Sequence, residues 1–116
     1  MKEPRVQCHV EELLRMIGGR WKVVLLRELD ACPQRHGQLL RRLTGITQKM
    51  LTQRLREMEA DGLIQRRDFQ EGRVKLVEYS LTDWGRTVMV IVMDIHHWTV
   101  SHQEHFSARA EKVAVM

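Results

Sequence analysis

The sequence predicts an α+β fold that is mostly α, and three observations carry the prediction. Apolar residues recur at helical spacing in five separate stretches, the segment between Gly62 and Thr82 changes to the two-residue period of strands, and 116 residues are the size of one domain with one core. A composition 43% hydrophobic and 29% charged belongs to a chain that folds, and it argues against disorder or low complexity. The longest unbroken apolar run, Val88 to Met93, is far below the ~20 residues that a membrane-spanning helix needs. No charged-then-apolar leader opens the chain. A cytoplasmic protein without membrane association is the expectation. Cys8 and Cys32 are too few for a disulfide scaffold and form no CxxC pair, which favours a reducing compartment. We take residues 1–116 as one domain with its core at about 8–106, and assign nothing to the tail at 107–116.

The first helix is predicted over Val10 to Ile17, where Val10, Leu13, Leu14 and Ile17 follow the i, i+3, i+4, i+7 spacing and Gly18-Gly19 ends it. The second, Trp21 to Leu29, turns Trp21, Val24, Leu25 and Leu29 to a core and stops at Ala31-Cys32-Pro33, because proline disfavours helix in the residue before it. Gln34 to Leu43 reads as a short third helix with Leu39, Leu40 and Leu43 inward. In Thr44-Gly45-Ile46-Thr47 the glycine suits a positive φ and Thr47 is placed to cap the next helix. That helix, Gln48 to Asp61, buries Leu51, Leu55 and Met58, which fall within about 60° of one another, and turns Lys49, Gln53 and Arg56 outward with Thr52 on their flank.

Gly62 stops the fourth helix, and Leu63 to Phe69 and Val74 to Leu81, separated by Gln70-Glu71-Gly72, form a β-hairpin. Thr82 caps a long last helix in which Trp84, Val88, Ile91, Ile95 and Trp98 form a stripe about 80° wide, assigned to the core. Met89, Val90 and Met93 lie off that stripe and are also apolar. A helix apolar all round is buried on two sides, and in so short a chain the second cover is expected to be another subunit. The order helix, helix, short helix, glycine turn, helix, hairpin, long helix is a winged helix-turn-helix with a long C-terminal dimerisation helix.

Charge placement adds to that order. The formal net charge is +4, and Arg35 to Lys75 holds ten basic residues against five acidic, so this segment is +5 and the remainder −1. A helix-turn-helix lays its second helix in the major groove of DNA and needs donors on its outer face. Gln48, Lys49, Thr52, Gln53 and Arg56 are the candidate readers, since Lys and Arg pair with guanine edges, Gln with adenine, and Thr touches the thymine methyl. Arg41 and Arg42 on the preceding helix, with Arg73 and Lys75 at the hairpin tip, are candidate phosphate contacts. Double-stranded DNA and a second copy of the chain are therefore the expected partners.

Several motifs occur together and in order: Cys8, Ile17 to Lys22, Gly45 to Glu59, Asp61 to Ile64, and Val77 to Thr82 with Gly85. Over roughly residues 8 to 98 the chain resembles the HxlR-type transcriptional regulators, relatives of the MarR group. The resemblance implies a bacterial or archaeal, nucleoid-associated homodimer that binds operator DNA, usually near its own gene or a divergent neighbour. It implies too that the first and last helices build the dimer, which would place Val10, Leu13 and Leu14 with Met89, Val90 and Met93 at the interface. Two departures stand out. Arg73-Val74-Lys75-Leu76 replaces the paired prolines common before Val-Glu-Tyr, and Arg35-His36 replaces Arg-Phe.

Some relatives sense oxidants or electrophiles through a cysteine near the N-terminus, and Cys8 matches that position. A reactive thiolate there would draw on Arg5, His9 and the positive end of the first helix, against the blander reading of a small apolar residue. Cys32 is read as passive rather than as a resolving partner. His96, His97, His102 and His105 lack metal-ligand spacing beyond one i, i+3 pair, so they are read as solvated and no metal or other cofactor is expected. Trp21, Trp84 and Trp98 are read as packing residues. No phosphate loop, GxSxG or carboxylate pair supports an enzyme. The competing function is a winged helix that docks an acidic protein partner on its basic face, and an oxidant or small-molecule effector fits the regulator reading.

Overall fold

The computed structural model describes residues 8–108. In chain order the elements are α1 (Val10–Ile17), α2 (Lys22–Ala31), β1 (Gln34–Arg35), α3 (His36–Arg42), α4 (Gln48–Ala60), β2 (Ile64–Glu71), β3 (Val74–Leu81) and α5 (Asp83–Ser101). The backbone turns helical again over 103–108. The mostly helical winged helix-turn-helix is thus the observed architecture. Its core gathers Leu25, Leu26 and Leu29 of α2, Leu39 of α3, Leu51, Leu55 and Met58 of α4, and Leu63, Ile64 and Leu81 at the base of the hairpin.

Three local differences from the expected elements have physical causes. Trp21 is the residue before α2 and adopts a left-handed φ of 84°, so it turns the chain between α1 and α2 instead of starting the helix. Leu26 is fully buried where Val24 was expected, and Val24 is 40% exposed. Gln34 and Arg35 are extended, pairing antiparallel with Tyr79 and Glu78, and the sheet order is β1-β3-β2. The buried Gln34 side chain donates from Nε2 to the Glu28 carbonyl at 2.9 Å, and Gln38 accepts from the Arg35 backbone N–H at 2.8 Å, so helix begins only at His36.

The hairpin is longer than its sequence pattern indicates. Register runs from Ile64 opposite Leu81 to Glu71 opposite Val74, which leaves Gly72-Arg73 as a two-residue turn. Arg73 is at the tip itself and Lys75 is one residue into β3.

The largest difference is the rotation of α5. Its core face is Gly85, Val88, Met89 and Val92, at i, i+3, i+4 and i+7. Of the stripe assigned to the core only Val88 is buried; Trp84, Ile91, Ile95 and Trp98 are 45–56% exposed. Met89 is therefore part of the chain's own core and Met93 packs partly against it, while Val90 points outward. Gly85 sets the rotation. A Cβ at this position would overlap the Leu63 carbonyl oxygen, so the helix can approach β2 only along its glycine edge. Thr82 fastens the same corner: its Oγ1 donates to the Gly62 carbonyl at 2.6 Å and accepts from the Gly85 N–H at 2.9 Å.

Candidate nucleic-acid interface

The turn between α3 and α4 is built by residues the sequence marks for it. Gly45 has φ +96°, the Trp21 ring packs against it, and Ile46 is buried. The Thr47 hydroxyl accepts from the Met50 N–H at 3.1 Å, satisfying one of the free donors at the start of α4. With Leu51, Leu55 and Met58 inward, Gln48, Lys49, Thr52, Gln53 and Arg56 come together along one concave outer face, joined by Glu57. All five candidate readers are thus neighbours on one surface.

Ion pairing sorts the basic residues of this surface. Arg54 is held by Glu57 at 3.1 Å, Arg66 by Asp68 at 3.0 Å, Arg67 by Glu78 at 3.5 Å and Arg42 by Glu28 at 2.8 Å. Arg41, Lys49, Arg56, Arg73 and Lys75 make no ion pair among the described residues. Of the six basic candidates only Arg42 has its charge engaged among the described residues. Arg41 and Lys75 line a second groove, between α3 and β3, together with Arg35 and His36.

Sequence reasoning missed the residues that tie α4 to α2. Lys22, with a side chain 8% exposed, places Nζ 3.1 Å from Glu57 Oε2. Glu57 accepts in addition from Arg54 Nη1 at 3.1 Å and Gln53 Nε2 at 3.3 Å. The Lys22 hydrogen bond, helped by the Lys22 and Arg54 charges, holds the Glu57 carboxyl below the usual carboxylate range against an opposing desolvation. Lys22 in the motif Arg20-Trp21-Lys22 was the available signal, because a lysine at the first turn of an apolar helix needs a partner. His36 was likewise unassigned, and its Nε2 is 3.1 Å from Thr52 Oγ1.

Among the remaining candidates, Cys8 and Cys32 are free and exposed, while Arg5 lies outside the described residues. Val10 and Leu14 are 57% and 54% exposed on α1, and Leu13 packs partly on the core. Trp84 and Trp98 do not pack inward as expected. Trp98 instead stacks on His102 at 4.3 Å and meets Phe106 edge-on at 6.2 Å, which extends an exposed apolar face along α5. Among the described residues no group of three or more metal-ligating side chains converges, and no helix is long and apolar enough to cross a membrane.

A helix-turn-helix whose second helix carries a polar, cation-bearing outer face beside a basic β-wing defines the winged-helix class of transcriptional regulators. Residues 16–107 match the HxlR-like helix-turn-helix family, and the chain belongs to it. It is 41% identical over 102 residues to YtcD of Bacillus subtilis, described as an HTH-type transcriptional regulator, with 88% of this chain and 80% of YtcD covered. Among solved structures, the redox regulator HypR in its reduced form superposes with a TM-score of 0.79 at 38% identity, covering 87% of this chain and 99% of HypR. HypR is also known in an oxidised form. The reduced transcriptional regulator YodB of B. subtilis gives 0.75 at 26% identity over 81% of this chain and 92% of YodB. The chain is accordingly a transcriptional regulator of the helix-turn-helix type, and its family is not an enzyme family.

Proposed function

We propose that the protein acts as a homodimer on an inverted-repeat operator, with two α4 helices in successive major grooves about one helical turn apart. The observation that carries this reading is the sorting of charge. Arg41, Lys49, Arg56, Arg73 and Lys75 lack an acidic partner among the described residues, whereas Arg42, Arg54, Arg66 and Arg67 each lie beside a carboxylate. Unpaired cations spread from α3 across α4 to the hairpin tip suit a polyanion with regularly spaced charges. Lys49, Thr52, Gln53 and Arg56, with Gln48 at the helix start, contact base edges. Arg41, Arg73 and Lys75 contact phosphates, and Arg42 joins them by leaving Glu28 or adds nothing.

The second protomer covers the apolar face made by Val10 and Leu14 of α1 and by Val90, Ile91, Ile95 and Trp98 of α5. Met89 leaves the expected interface because its side chain is already spent in the core.

An oxidant or electrophile acting on Cys8 is the proposed signal. Cys8 is exposed two residues before α1, and HypR and YodB, known respectively in oxidised and diamide-treated forms, are relatives of similar fold. A thiol modification at the root of α1 would change how α1 packs on the partner and so the spacing of the two α4 helices. It switches the protein only if the two forms differ in operator affinity.

Fluorescence anisotropy on the duplex upstream of the protein's own gene and on a scrambled duplex, across a salt series, tests the reading. Sequence-dependent binding with a log-log salt slope of about −0.9 per phosphate neutralised is expected. Absence of binding to any duplex at low salt would favour docking of an acidic protein instead. Cys8→Ser should bind the operator as the unsubstituted protein does and ignore diamide; a retained response removes Cys8 from the sensor role.

A further inference from the structure

We propose that His36 is a specificity-determining positioning residue, which fixes Thr52 so that α4 reads a thymine methyl at one operator position. The inference rests on the assignment of α4 as the DNA-reading helix and deepens it. His36 is the first residue of α3 and is half-buried; across the corner between α3 and α4 its Nε2 is 3.1 Å from Thr52 Oγ1. Thr52 shares the outer face of α4 with Gln48, Lys49, Gln53 and Arg56, so the bond joins a residue outside the helix to the reading surface itself.

The chemistry follows from threonine's branched Cβ. Its hydroxyl and methyl occupy different staggered positions about one χ1 bond, and β-branching already restricts that bond. A threonine in a helix divides between two rotamers because its hydroxyl also finds backbone carbonyls one turn back. A ring nitrogen at hydrogen-bond distance selects one of them. Either tautomer serves, since a neutral imidazole offers one donor and one acceptor and a hydroxyl can take either part. With the hydroxyl engaged by His36, the methyl is the contact group that Thr52 offers to DNA, and the thymine C5-methyl is its apolar complement in the major groove. The cations around His36 are Arg35 and Arg41 on one side and Lys75 of β3 on the other, all in the adjoining groove. They suit flanking phosphates and leave the His36–Thr52 contact to the base-reading face.

Replacement of each operator thymine in turn by uracil removes only the C5-methyl and needs no change to the protein. One position per half-site should lose affinity by about fourfold, the worth of one buried methyl group. Thr52→Ser, which keeps the hydroxyl, should bind thymine and uracil equally there. His36→Phe should cut the thymine-to-uracil ratio at that position alone. His36→Gln, whose amide reaches a similar distance, should restore it. Thermal midpoints and the salt slope should be unchanged in a merely positioning role. Sequence-specific binding with no uracil-sensitive position, or with one that Thr52→Ser leaves intact, overturns the proposal while leaving α4 as the reader. Binding without sequence preference instead defeats the reading on which it rests.

Discussion

Helices α4 and α5 are made alike on their inner side and oppositely on their outer side. Each starts at a threonine whose hydroxyl accepts a backbone N–H, from Met50 in α4 and from Gly85 in α5. Each buries one stripe, Leu51, Leu55 and Met58 in α4 and Val88, Met89 and Val92 in α5. Outward, α4 presents Lys49, Gln53 and Arg56, and α5 presents Ile91, Ile95 and Trp98. The core-forming rule is common to both, so the partner of each helix is written on the face that the core does not use. A charged face remains wet and suits a polyanion. An apolar face of several large side chains is unfavourable in water and calls for protein cover. The radius of gyration, 17.6 Å against about 13 Å for a compact domain of this length, shows how much of the chain reaches away from its own core.

The sharpest way to break this comparison is to exchange the roles within α5. Met89→Ala should lower unfolding stability by about 2–5 kcal/mol, because it opens a cavity in the chain's own core. Ile95→Asp should leave the helical circular dichroism unchanged and weaken self-association by about thirtyfold, the effect of one central interface residue, read by sedimentation. Equal effects of the two on association, or unfolding of the protomer by Ile95→Asp, would mean that the inner and outer faces of α5 have been misassigned.

The same pair of helices explains what the sequence could and could not tell. On α4 the apolar and polar residues fall on opposite sides, so periodicity alone found both its buried stripe and its outer face. On α5 the apolar residues run nearly all the way round, and a period cannot choose between cover supplied by the chain and cover supplied by a partner. Gly85 was the legible clue, since a glycine beside Val88, Met89 and Val92 marks a close approach, here to the Leu63 carbonyl. Strand β1 was beyond reach because two residues have no period, and only their pairing with Glu78 and Tyr79 makes them a strand. For the Lys22–Glu57 and His36–Thr52 contacts the partners were hidden, for each joins residues of different helices that no spacing rule connects, although a lysine opening an apolar helix signals that Lys22 needs one.

On the outer face of α4 the expected effects are smaller and differ in kind. Arg56→Ala should cost about 1–3 kcal/mol of operator affinity and relax one base position. Arg41→Ala should weaken all duplexes alike and reduce the salt slope by about 1. A uniform loss from Arg56→Ala would move that residue to the phosphate group and narrow the base-reading face to Lys49, Thr52 and Gln53.

The smallest effect concerns the tie between α4 and α2, where Glu57, beside the outer face, meets Lys22. Because its pKa is lowered by folding, Glu57 binds fewer protons in the folded than in the unfolded chain, and its contribution to stability is complete above the ordinary glutamate range. That contribution is lost as pH falls through the depressed folded value, so this part of the stability declines on acidification and not on alkalinisation. Glu57 keeps about a third of its side chain open to water, and screening should hold the effect within about 1 kcal/mol. Thermal midpoints measured through the acid range should fall less steeply for Glu57→Gln than for the unsubstituted protein. The variant should also start lower at neutral pH, since Lys22 then stays buried beside a neutral amide. An unchanged acid slope in Glu57→Gln would show that the Lys22–Glu57 pair does not carry the linkage. The packing of α4 would then rest on its apolar stripe, Leu51, Leu55 and Met58, without help from the Lys22 pair.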